Sequence, residues 1–212
     1  MKINFYKSSI ENKRFGDVFN RYKMLKQILL KKKLIFFDIG ANMGQTVLEI
    51  SKNFPNSIIH SFEPQKTCQS SLQNIKKKIK KSKIYINPLA CGEKNIIKTF
   101  YVNHFSNLSS FYKINKKSKN VIKMKKLSKN KKFLKSINIP TKVRQITLSD
   151  YIKDKKITSI DLLKIDTQGY EINVLKGIKK NDFHKIKIII VEINFWDHYS
   201  KITSFYEIEK IL

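Results

Sequence analysis

The sequence is poor in cysteine, glycine, proline, arginine and acid. Cys68 and Cys91 are its only cysteines in 212 residues. Two thiols cannot complete a four-ligand zinc site, and these two fall outside any CxxC spacing. They read as free thiols in a reducing compartment. Six glycines and four prolines occur, and no Gly/Ser-rich linker or internal repeat divides the chain. No apolar run approaches the ~20 residues that a membrane-spanning helix needs. The opening stretch MKINFYKSSIEN has no apolar segment that could serve as a signal peptide, so a cytoplasmic protein is expected.

Acidic residues number 16 against 44 basic ones, a formal charge of +28. A field of that size attracts anions and raises nucleic acid as a partner. Yet Arg14, Arg21 and Arg144 are the only arginines. Base readout and bidentate phosphate clamping favour arginine over lysine. The lysines accompany abundant isoleucine and asparagine, the mixture that an AT-rich coding sequence produces whatever the function. The charge is therefore read mainly as a solvated surface, with nucleic acid as the lesser alternative.

What the sequence does contain is rhythm. Phe19, Tyr22, Leu25, Ile28 and Leu29 recur at helical spacing. This predicts an amphipathic helix within an N-terminal extension, 1–33, its stripe packed on the following domain; a membrane-surface role is the alternative. From Leu34 the pattern changes. Leu34-Ile35-Phe36-Phe37 is a continuous apolar run, as a strand buried on both faces requires, and it ends at Asp38. A helix is expected from about Gln45 to Asn53, a strand over Ser57–Phe62, a helix over Lys66–Lys80 and a strand over Lys83–Asn87. Strands alternating with helices predict an α/β domain, 34–212, with a mostly parallel, doubly wound, Rossmann-like sheet.

The alternation lapses after Gly92. Ile97–Val102 and Ser109–Tyr112 read as the strands of a hairpin. The lysine-rich stretch Lys113–Asn138 shows little apolar pattern and reads as a mobile or irregular part of a variable insertion, about 104–142. Order returns at Val143–Ile146. Thr147-Leu-Ser-Asp150 has the form of a capping box with Asp in the usual Glu position. Ser159–Ile165 reads as a fourth strand, Tyr170–Lys176 as a helix ended by Gly177, and Ile186–Ile193 as the strongest strand of all.

Chemistry concentrates at strand ends. In Asp38-Ile-Gly40-Ala-Asn42-Met-Gly44, Gly40 offers backbone freedom and no side chain to block a ligand, while Gly44 lets the helix start lie close to the strand. Amide groups at that helix start favour a ligand carboxylate, and Asp38 is placed to hold a ligand amino group. Glu63, in Ser61-Phe62-Glu63-Pro64, lies at the distance of an acidic residue that binds ribose hydroxyls. Asn42 stands where a dinucleotide site needs its second glycine, so the spacing favours S-adenosylmethionine over a pyrophosphate cofactor. Ala90 and Cys91, after the third strand, are placed to border the adenine.

A third element is Leu162-Leu-Lys164-Ile-Asp166-Thr-Gln168-Gly169-Tyr-Glu171. Alternation puts Lys164 and Asp166 on one side of a strand, and Asp166 emerges at its carboxyl end. There it could orient or deprotonate an acceptor hydroxyl. Glu171 reads equally as a site residue or a helix cap. Glu192 closes a buried apolar strand, a costly place for a charge unless it is paired or used. With Asp166 it could face the acceptor or bind a divalent cation through oxygen; whether a metal is needed is left open. His198 follows at the same edge as a candidate base or acceptor contact.

FDIGANMGQT, FEP, TLSDYI, IDLLKIDTQGYEINVLKG and IIIVEI, in this order and spacing, resemble the FkbM family of methyltransferases over roughly residues 34–194. The resemblance implies a class I, S-adenosylmethionine-dependent fold and O-methylation of a hydroxyl, commonly on a sugar, glycan or glycolipid. The family often has Glu where Gln168 stands, so Gln168 is given no acid/base role. Such folds close with a helix and a β-hairpin. Ser204–Leu212 reads as that helix, the hairpin being absent or beyond this sequence, and an uncovered sheet edge would open the way to a homodimer. The expected cofactor set is Asp38, Gly40, Asn42, Gly44, Glu63, Ala90 and Cys91, and the expected catalytic set is Asp166, Glu192 and His198. The alternatives are an RNA cap or ribose methyltransferase and an inactive nucleoside-binding module.

Overall fold

A computed structural model describes residues 21–127, 133–193, 199–200 and 204–212. Contacts divide the chain into two units, 1–32 and 33–212. In the first, α1 (Arg21–Ile28) is an eight-residue helix, extended by a bond from the Leu29 amide to the Leu25 carbonyl. Tyr22, Leu25 and Leu29 of the expected stripe are buried and Ile28 is exposed; Phe19 lies outside the described residues.

The second unit is built on a five-stranded sheet. β1 (Ile35–Ile39), α2 (Gln45–Asn53), β2 (Ile58–Phe62), α3 (Lys66–Lys78) and β3 (Lys83–Asn87) follow the expected alternation closely. Later come β7 (Leu162–Ile165), α6 (Glu171–Lys176) and β8 (Ile189–Val191). The order β3-β2-β1-β7-β8 is parallel throughout. The chain thus lays two strands, β2 and β3, to one side of β1 and then crosses to the other. That reversal opens a crevice between the carboxyl ends of β1 and β7, where open α/β sheets bind ligands.

The apolar strand runs explain this sheet. Phe36 and Phe37 point to opposite faces and both are fully buried. Phe37 shares a core with Phe62, Leu163 and Ile165 and with Tyr151, Ile152, Val174 and Leu175 from helices; Phe36 stacks obliquely on Phe54 at 5.2 Å. The last strand is the exception to expectation. Only Ile189–Val191 forms β8, and it is half-buried. It lies at the margin of the described sheet and has one neighbour, β7, itself only four residues long. Asp161 interrupts the predicted strand before β7, its carboxylate accepting the Ile35 amide at 2.9 Å.

A second sheet corrects the expected hairpin. β5 (Ile96–Val102) pairs antiparallel with β6 (Ile139–Ile146), from Ile96↔Gln145 to Val102↔Ile139. Ser109–Tyr112 supplies a single bridge, Tyr101↔Ser110, after a tight turn at Ser106–Leu108. β4 (Ala90–Cys91) lies parallel to the end of β6 at Gln145 and Ile146. Pro140 is tolerated within β6 because β4 is too short to ask for its missing amide hydrogen.

The insertion is also more ordered than its composition suggests. It contains α4 (Lys119–Leu127) and a short turn at Phe133–Lys135. Ile114, Val121, Phe133, Ile137 and Tyr199 form a separate small core. Asn138 fastens its ends, accepting from the Ile114 amide at 2.7 Å and donating to the Ile114 carbonyl at 2.9 Å, while its own amide reaches Asn103. The predicted cap before α5 (Leu148–Asp154) forms by half: Thr147 Oγ1 accepts the Asp150 amide at 3.1 Å. Asp is a carbon shorter than Glu, and Asn95 takes the Thr147 amide instead, at 2.8 Å. The closing helix is α7 (Phe205–Glu209). No helix among the described residues is long and apolar enough to cross a membrane.

Candidate functional site

The turn after β1 is a backbone construction. Gly40, Asn42 and Gly44 have φ of 83°, 46° and 90°, values that curl the chain back onto β2. The amides of Gly40 and Ala41 both donate to the Phe62 carbonyl at 3.0 Å, and the Gly44 amide donates to Ala41 at 2.8 Å. These amides are therefore spent within the protein. The first-turn amides of α2, which have no intrahelical partner, are the donors that remain. A methyl group at Gly40 would collide with the Asp166 carbonyl oxygen, so the β1 and β7 turns touch backbone to backbone. The missing side chain of Gly44 makes room for Ile75 and Leu72 of α3, whose ends lie 2.6 and 3.0 Å from where a methyl group would sit.

Glu63 fastens this turn from the neighbouring strand. Its Oε2 accepts the Asn42 amide at 2.9 Å and its Oε1 the Gln65 amide at 2.8 Å. The residue is 3% exposed. Burial pushes its carboxyl up to about 6, against the lowering effect of those two amides. Asn42 turns its side chain aside: Oδ1 accepts from Ser106 Oγ at 2.9 Å and lies 3.6 Å from the Cys68 thiol. Ser106 belongs to the insertion, whose carbonyl there also accepts from Gln65 Nε2 at 3.1 Å.

The turn after β7 is a charged construction. Register pairs Asp38 with Ser61 on one side and with Lys164 on the other, so the three side chains share one sheet face. Lys164 Nζ lies 3.6 Å from Asp38 Oδ1 and 3.2 Å from Asp166 Oδ2. Those carboxylates hold its ammonium group above the ordinary lysine range even though burial opposes them. Gln168 Nε2 donates to the other oxygen, Oδ1, of Asp166 at 2.8 Å. Burial disfavours the Asp166 anion, but the lysine charge and the hydrogen bonds outweigh it and hold the carboxyl below its usual value.

Glu192 follows β8, with its amide on the Ile165 carbonyl at 2.9 Å. Its carboxyl lies within hydrogen-bonding reach of Asp166 and is pushed up first by desolvation and then by the Asp166 charge. Glu171, which the sequence left divided between site residue and helix cap, braces the turn that precedes α6. It is buried, and its Oε1 accepts from the amides of Thr167 at 2.9 Å and Gly169 at 3.1 Å and from Thr167 Oγ1 at 3.2 Å. These bonds steady a turn in which Gln168 and Gly169 have φ of 56° and 96°.

The matching residues resolve into one cluster with two outliers. Asp38, Gly40, Asn42, Gly44, Glu63, Asp166 and Glu192 belong to strand ends and turns around the β1/β7 crevice. Ala90 and Cys91, expected to border the adenine after the third strand, form β4 and are buried in the main core. Burial there pushes the Cys91 thiol far up, which leaves it inert. His198 lies outside the described residues. Among the described residues, no group of three or more His, Cys, Asp or Glu is arranged to hold a metal ion.

The family model for the methyltransferase FkbM domain matches residues 38–212. The chain belongs to the FkbM methyltransferase family. It is also 27% identical over 168 residues to the methyltransferase sdnD of Sordaria araneosa, a match covering 73% of this chain and 64% of that protein. The chain thus spans under two thirds of that relative's length.

Three residues that received no role from the sequence join this cluster. Lys164 joins the two carboxylates; alternation had placed it beside Asp166, but nothing in the sequence brings Asp38 to it. Tyr199 OH lies 3.0 Å from Gln168 Oε1 and 3.2 Å from the Leu108 carbonyl. Ser110 Oγ donates to the Gln168 carbonyl at 2.8 Å. Segment 106–110 therefore contacts the first turn through Ser106 and the second through Ser110, while Leu108 reaches the second only by way of Tyr199.

Proposed function

We propose that the domain transfers a methyl group from S-adenosylmethionine to a hydroxyl oxygen of a sugar or glycan. The observation that carries this reading is the juxtaposition, across one backbone contact, of a glycine-lined turn with a buried carboxylate and a turn bearing a carboxylate pair. The residues present suit the donor. Gly40 alone lets the two turns meet backbone to backbone, and Glu63 is a buried carboxylate with each oxygen already oriented by an amide. Two adjacent ribose hydroxyls are donors that such a carboxylate can accept on its remaining lone pairs.

In this reading Gly40, Asn42 and Gly44 shape the methionine end, Asp38 faces the amino group, and Glu63 holds the ribose. When bound, the group supplies an electrophilic methyl on a sulfonium. Asp166 and Glu192 orient the acceptor hydroxyl and remove its proton, so that an oxygen lone pair is available in line with the methyl. Calorimetry with S-adenosylhomocysteine tests the donor half: micromolar binding is expected, and a folded sample that does not bind it sinks the reading. Labelled donor offered to sugars, glycolipids and capped RNA tests the acceptor half, where label in RNA alone would replace sugar with nucleic acid.

A further inference from the structure

The two carboxylates of the pair are held very differently. Each oxygen of Asp166 has its own donor: Gln168 Nε2 at 2.8 Å on Oδ1 and Lys164 Nζ at 3.2 Å on Oδ2. Its backbone is fixed as well, the amide on the Ile39 carbonyl at 3.0 Å and the carbonyl packed against Gly40. Glu192, by contrast, is an exposed residue whose carboxyl meets Asp166. The charged and titratable groups facing it are Asp166 and Lys164 from the β7 side, Glu171 from α6, and Tyr199.

A carboxylate stabilised by an ammonium and an amide is a poor proton acceptor, whereas one standing beside a fixed anion is a better one. We propose that Lys164 and Gln168 are positioning residues that hold Asp166 as a fixed anion against the acceptor hydroxyl, and that Glu192 takes the hydroxyl proton. This rests on the methyl-transfer reading above. In the step, the acceptor oxygen's lone pair forms the O–C bond and the C–S pair returns to sulfur. The O–H proton ends on a Glu192 oxygen, so charge and electrons balance. The direction of the two carboxyl shifts, Asp166 down and Glu192 up, agrees with this division.

The test is a carbon-13 carboxyl titration of the full chain labelled at aspartate and glutamate, with Asp166→Asn and Glu192→Gln assigning the two signals. Glu192 is expected to titrate above Asp166, with Asp166 ionised throughout the neutral range; the reverse order overturns the proposal. Lys164→Met should raise the Asp166 midpoint by about 1 pH unit or more, and Lys164→Arg should restore it; an unmoved midpoint denies Lys164 its role. On a sugar that accepts label, Glu192→Gln should cut turnover roughly 100-fold or more, with acceptor KM changed little. Wild-type turnover in that variant overturns the proposal. The titration needs neither donor nor acceptor, so failure of S-adenosylhomocysteine to bind would sink the function while the order of the carboxyls still judged the pair.

Discussion

The turns after β1 and β7 leave adjacent parallel strands at the same level, through Asp38↔Lys164 and Ile39↔Ile165, and both need left-handed backbone. They are stabilised by opposite means. The first is closed by amides folded back on β2 and one buried glutamate, and it excludes side chains. The second is closed by Glu171 and filled with side chains that grip one another. A surface made of backbone has a shape and little adjustable charge. A surface made of paired charges sets protonation and is sensitive to what each side chain carries. The pairing teaches that donor binding should fail when atoms are added to the first turn, and acceptor chemistry should fail when charges are changed in the second.

Adding one methyl to the first turn is the strongest way to break this comparison. Gly40→Ala must place a side chain at φ 83° and against a backbone oxygen that cannot rotate away. The left-handed conformation alone costs about 1–2 kcal/mol, and the collision forces the two turns apart. Loss of detectable S-adenosylhomocysteine binding by calorimetry is expected, with a lower melting temperature. Gly44→Ala, at φ 90°, meets only the ends of Ile75 and Leu72, so it should pay the backbone strain while retaining measurable binding. If the two variants bind equally well, the contact between the turns does not matter.

Acid sharpens the comparison by acting on one charge of the first turn. Burial lifts the Glu63 carboxyl to about 6, and ribose hydroxyls need its ionised form. At pH 5 about one molecule in ten would retain that form, so affinity for S-adenosylhomocysteine should fall about tenfold between pH 7 and pH 5. The folding contribution has the other sign. Because the folded state binds this proton more tightly than the unfolded state, the stability it adds is present below about 4.5 and is lost as pH rises through about 6. Donor affinity and this part of ligand-free stability should thus move in opposite directions. Affinity that stays flat across the window would remove Glu63 from the ribose role.

How far the sequence discloses these regions follows from the range of the interactions. The β1, α2, β2 and β3 segments were legible because apolar runs and turn residues are local signals, and the limits of α2 and β3 match the residues expected. The glycine turn and the acidic strand ends were legible for the same reason. The β5–β6 pairing was not, since the two strands are separated by an insertion and the nearer segment Ser109–Tyr112 offered an easier partner. Lys164 illustrates the limit best. Alternation put it beside Asp166, but its second partner, Asp38, lies 126 residues earlier in the chain and becomes a neighbour only through the reversal of strand order.

The smallest expected effect tests whether the two turns work separately. Tyr199 has one hydroxyl hydrogen and two acceptors within reach, Gln168 Oε1 and the Leu108 carbonyl. Burial keeps this phenol protonated, so it acts as a donor tying the insertion to the second turn. Tyr199→Phe deletes that tie and leaves the ring in its small core. A loss of about 1 kcal/mol in stability is expected. Gln168 would be held less firmly, so turnover should fall a few-fold while S-adenosylhomocysteine affinity stays within about twofold. A change in donor affinity larger than the change in turnover would mean that the insertion transmits strain from the second turn to the first through Ser106, and the two would have to be treated as one device.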